Sequence, residues 1–83
     1  MSTLEMNGPD GRGGYLVALS DGATQGLIPA DLLSEQTGGG AREDAEAWIA
    51  AESATIAGAL ETLRDGGTPR APFDRIRLIG AET

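Results

Sequence analysis

Arg42 to Arg64 reads REDAEAWIAAESATIAGALETLR, and this stretch decides the fold. Ala45, Ile49, Ile56, Leu60 and Leu63 recur at spacings that place them on one face of a 3.6-residue helix. Trp48, Glu52 and Ala59 flank that stripe. Ala, Glu and Leu, which lose little on entering a helix, dominate the segment. Gly40 is the expected N-cap, and acids from Glu43 onward crowd the positive end of the helix. Arg64 falls in the last turn, and Asp65-Gly66-Gly67 supplies the residue for a left-handed C-cap. Ser53 to Ile56, where Ser and Thr side chains compete for backbone groups, leave open whether the helix runs unbroken. About six turns of amphipathic helix need an apolar partner, and the expected partner is a small antiparallel sheet.

The flanking segments supply it. Tyr15–Leu19 (YLVAL) is a continuous apolar run suited to the middle of a sheet. Ser2 to Asn7 alternates weakly, and Gly8-Pro9-Asp10-Gly11 makes a strong turn between the two. Ser20-Asp21-Gly22 is a second turn, of the Asp-Gly type favoured in hairpins, after which Thr24 to Ile28 returns as a short strand. Pro29 fits the first position of a short helix, PADLLSEQ, with Leu32 and Leu33 turned inward. Thr37 to Gly40 reads as a hinge loop. After the long helix, GTPRAP (residues 67–72) is a loop stiffened by prolines. A last strand over Phe73–Ile79, starting in earnest at Arg75, puts Ile76 and Leu78 inward and Arg75 and Arg77 outward as a small basic strip. The tail from Gly80 to Thr83 is expected to fray. The fold class is therefore α+β: a small antiparallel β-sheet packed on one long amphipathic α-helix plus a short helix.

Eighty-three residues make a single domain, residues 1–83, with little stability to spare. Aromatic residues are scarce, so Trp48, if buried, would cost about 3–5 kcal/mol to remove. Cys and His are both absent, which excludes disulfides, zinc–cysteine sites, imidazole ligands and Cys- or Ser-His catalysis. No stretch is long and apolar enough for a membrane span, and no signal peptide is recognisable, so a cytoplasmic location is expected. The formal charge is −7, with thirteen acids against six bases, all Arg. That sign repels phosphate backbones and favours a basic protein surface as partner. Glu43, Asp44 and Glu46 read as a solvated helix start rather than as an acid–base site. Gly11, Gly13 and Gly14 lack the following helix and the Gly-Lys-Ser/Thr of a phosphate loop. No cofactor and no metal is expected, and binding rather than catalysis is the expected activity.

Two stretches, DGRGGYLVALS from Asp10 to Ser20 and the AEAW and IAGALE segments between Ala45 and Glu61, carry a resemblance. They are similar to the phage-encoded anti-CRISPR family that caps the HNH nuclease domain of type II-C RNA-guided nucleases. The order of parts also resembles that family over about residues 3 to 78. The resemblance implies a non-catalytic inhibitor that binds across the nuclease active site and blocks cleavage while guide-directed DNA binding persists. The family's Asp in the first Asp-Gly turn, which contacts basic groups on the nuclease, matches Asp10. Its Ser-Cys pair before the last strand corresponds to Ala71-Pro72, so the hydroxyl contact is missing, and Thr68 or backbone carbonyls must replace it unless the target differs. The partner-binding residues so implied are Asp10, Gly11, Thr68, Arg70, Ala71 and Pro72. Other readings of the residues are an acidic accessory module, dimerising through a strand edge, and a nucleic-acid mimic.

Overall fold

The computed structural model describes residues 3–39 and 41–79. They form a four-stranded antiparallel sheet in the order β1-β2-β3-β4, with its helices on one side. In chain order the elements are β1 Leu4–Pro9, β2 Tyr15–Leu19, β3 Gln25–Ile28, α1 Ala30–Thr37, α2 Arg42–Ala51, α3 Ser53–Arg64 and β4 Arg77–Ile79. The expected α+β class is the observed one. Val17, Leu19 and Ile28 from the sheet close against Leu32, Ile49, Ile56 and Leu60 from the helices, all of them fully buried. Gly26 lets α3 come this near. A Cβ built there would stand 2.4 Å from Leu60 Cδ2, so any larger residue would displace the buried Leu60 side chain.

The long helix is divided. Glu52 leaves helical geometry (φ −105°, ψ 18°) between α2 and α3, although Glu52 N–H still donates to Trp48 O and Ile56 N–H to Glu52 O. The physical cause lies in the apolar stripe. Between Ile49 and Ile56 the inward positions are held by Glu52 and Ser53, which no core can absorb, and bending there lets each half pack separately. The α2 N-cap is Ala41, which has no capping side chain. Gly40 lies outside the described residues, as do Ser2 and the tail Gly80–Thr83. The helix stop is as read from the sequence. Gly66 takes φ +90°, its N–H donating to Leu63 O, and Gly67 N–H donates to Thr62 O, the two bonds of a Schellman motif. Pro29 is the extended N-cap of α1 rather than its first turn.

The last strand needs the largest correction. Phe73–Arg75 is a turn of 3-10 helix, and β4 covers only Arg77–Ile79. Ile76 is buried as expected, but Leu78, on the same side and opposite Gly26, is 41% exposed because β4 is a short edge strand. Arg75 does not join Arg77 in a basic strip. It turns back to α1, where it pairs with Asp31 and with Glu35 at 2.7 Å. Trp48 is half-buried, stacked on Phe73 with ring centroids 5.9 Å apart, so the cost expected for a fully buried ring does not apply in full.

Candidate binding surface at the Asp10 turn

Asp10 follows directly on β1 and folds the connection to β2 around its own carboxylate. Its Oδ1 accepts hydrogen bonds from Arg12 N–H at 2.7 Å and Gly14 N–H at 3.0 Å, and its own N–H donates to Gly14 O at 3.2 Å. This is the local backbone mimicry that makes Asp favourable in turns. Gly11 (φ +89°) and Gly13 (φ +93°) adopt left-handed conformations that side chains resist. Gly14 is pinned against β3, where a Cβ would come within 2.7 Å of Ile28 O. The turn is thus rigid at its base and exposed at Gly11–Gly13, with no hydrogen bond to Asp10 Oδ2 among the described residues.

Beside the turn lies a mostly apolar cavity of about 240 Å³, walled by Gly13 and Tyr15 on the sheet side and by Leu33, Ser34 and Ala45 on the helices. Arg42 stands at its rim. The Arg42 Nε–H and the Tyr15 hydroxyl both donate to Glu46 Oε2, each at 2.9 Å. Burial, and then Glu46, push the Tyr15 hydroxyl above its ordinary pKa, while Arg42, and then Tyr15, hold the Glu46 carboxyl below its own. The pair Arg42 and Glu46 stands at helical i,i+4 spacing, a signal visible in sequence. Tyr15 as its third member is a long-range contact that no local pattern announces.

Thr68, Arg70, Ala71 and Pro72 belong to the loop that follows α3. Thr68, Arg70 and Ala71 are exposed and Pro72 is half-buried, in a loop folded against α3. Pro69 and Arg70 line a shallow groove with Thr55, Gly58 and Thr62. The loop closes through Phe73 N–H donating to Arg70 O at 2.8 Å, and the Ala71–Pro72 peptide bond is cis. Among the described residues no hydrogen bond links this loop to the Asp10 turn, and the groove and the cavity share no lining residue. Pro9, Gly13 and Gly14, which flank Asp10 and Gly11 in the chain, thus line the cavity, while Pro69 and Arg70 line the groove. Among the described residues no three acids stand close enough to hold a metal ion, and no helix is long and apolar enough to cross a membrane.

No protein-family model, curated protein or solved structure matches this chain.

Proposed function

We propose that this chain is a non-catalytic acidic inhibitor that binds an electropositive protein surface through the Asp10 turn. The target implied by the sequence resemblance is the HNH nuclease domain of a type II-C CRISPR nuclease. The observation that carries the reading is the division of labour within Asp10. One carboxylate oxygen fixes the turn through two backbone N–H groups, and the other accepts no hydrogen bond among the described residues. A half-buried carboxylate already fixed by its own turn loses little entropy on meeting an Arg or Lys. A net charge of −7 adds long-range steering towards a basic site. The sequence resemblance adds Thr68, Arg70, Ala71 and Pro72 as further contacts, and Asp10 is the residue whose charge the test addresses.

The test is to add the purified protein to a guide-loaded type II-C nuclease and score target binding and cleavage separately. DNA binding kept with cleavage lost is expected. Asp10→Asn is the decisive variant, because it keeps an Oδ1 acceptor for the turn and removes the charge. It should weaken inhibition by about tenfold or more while leaving the melting temperature in place. Unchanged cleavage at large excess of the protein would remove this nuclease as the target.

A further inference from the structure

The helices cover only one face of the sheet. On the other face the register sets two cross-strand rows: Glu5, Ala18, Gln25 and Ile79 in one, and Gly8, Leu16, Leu27 and Arg77 in the next. The solvated face of an antiparallel sheet normally carries polar residues. Here β2 is apolar on both faces, which is what its unbroken YLVAL run encodes. Leu16 and Leu27 sit side by side at the centre of the open face, half-buried, and neither belongs to the core packed under the helices. Glu5 and Arg77, both exposed and neither ion-paired among the described residues, mark diagonally opposite corners.

We propose that this open face is the contact between two copies of the chain, related by a two-fold axis lying between their sheets. An axis perpendicular to the Glu5–Arg77 diagonal lays Glu5 of each copy over Arg77 of the other. The same rotation closes the Leu16 and Leu27 patches on each other. A patch that carries one charge of each sign at opposite corners is complementary to itself, which is the requirement for an isologous interface. The axis runs close to the strand direction, so the strands cross at an acute angle, as in aligned sheet packing. Four strands about 4.8 Å apart make a face only about 19 Å wide. That is at the small end for a specific interface, so the dimer is concentration-dependent rather than permanent. Pairing through the β1 or β4 edge would leave Leu16 and Leu27 in water, and it makes a different prediction.

Sedimentation velocity on the full chain, from micromolar to millimolar concentration, should show a monomer–dimer equilibrium. Leu27→Glu should abolish it, and Leu27→Thr, which keeps strand propensity, should weaken it. Glu5→Arg and Arg77→Glu change exposed side chains, and each alone should weaken self-association about tenfold. Mixed together, the two single variants should form a heterodimer as tight as the parent, because each variant then supplies the charge that the other lacks. A chain monomeric at every concentration overturns the proposal. So does a dimer indifferent to Leu27→Glu, or a charge-swapped mixture no tighter than either variant alone.

Discussion

The two Asp-Gly turns of the β1-β2-β3 meander are alike in sequence and differ in what their carboxylates are left to do. Asp21 Oδ1 accepts from Ala23 and Thr24 N–H, at 2.8 and 3.0 Å, much as Asp10 Oδ1 accepts from Arg12 and Gly14. Asp21 Oδ2, however, is taken by the Thr24 hydroxyl at 2.9 Å and by Arg64 at 3.0 Å. The second turn is thereby tied to the end of α3, and its charge is spent inside the molecule. The first turn is tied to the sheet through glycines, and Asp10 Oδ2 accepts no hydrogen bond among the described residues. Equal turn chemistry therefore serves stability at one end of the sheet and presents a charge at the other.

Substitutions at the bases of the turns test this contrast most strongly. Gly14→Ala forces a Cβ against Ile28 O, and because that neighbour is backbone it cannot swing aside. Chemical denaturation should show a loss of about 1–3 kcal/mol, together with weakened target binding as the Asp10 turn shifts. Gly22→Ala in the second turn meets open space but keeps φ +77°. The expected loss is smaller, about 1 kcal/mol, with target binding untouched. Equal losses at the two sites would mean that the first turn is not braced by β3.

Acid pH sharpens the comparison further. The backbone N–H groups of Ala23 and Thr24, then the Thr24 hydroxyl, hold the Asp21 carboxyl at about 2 against an ordinary 3.8. A depressed carboxyl contributes stability that is present above its unfolded pKa and lost as pH falls through the folded one. Melting temperature should thus fall between about pH 4 and pH 2, and Asp21→Asn should remove part of that dependence. Carbon-detected NMR titration of the Asp21 carboxyl would read the midpoint directly. The smallest effect is expected from Arg64→Gln. Both partners of that ion pair are substantially exposed, and the Arg64 hydrogen bond is the weakest of the influences lowering Asp21. The Asp21 titration should move up slightly and the melting temperature hardly at all. A large shift in either would mean that the ion pair, not the turn, anchors this end of the sheet.

Much of this was legible in the chain because it is local. Asp10-Gly11 and Ser20-Asp21-Gly22 announce their turns, YLVAL its strand, and Asp65-Gly66-Gly67 the helix stop, whereas Gly8 and Pro9, read as part of the first turn, pair with Leu16 and Tyr15 as the end of β1. The bend at Glu52 was half legible, as a polar gap in an otherwise apolar stripe. The end of the chain misled, since FDRIRLI alternates like a strand while its first three residues are drawn into a 3-10 turn. Phe73 stacks on Trp48 and Arg75 reaches the acids of α1, and those contacts outweigh the propensity of three residues to extend. At the candidate surface, Asp10 and Gly11 stand out in the sequence. Their neighbours across the cavity do not.

The sequence by itself determined the α+β class, the meander, the helix stop, the excess of acid and the absence of thiol and imidazole chemistry. These follow from composition and from hydrogen bonds that span a few residues. Only the tertiary structure decided that Arg64 neutralises Asp21 while Asp10 Oδ2 accepts no hydrogen bond, that Arg75 serves α1, and that one sheet face has no helix over it, all among the described residues. Those outcomes depend on which surfaces meet once the helices α1, α2 and α3 must share a single small sheet. Pairings between residues forty positions apart leave no trace in local pattern.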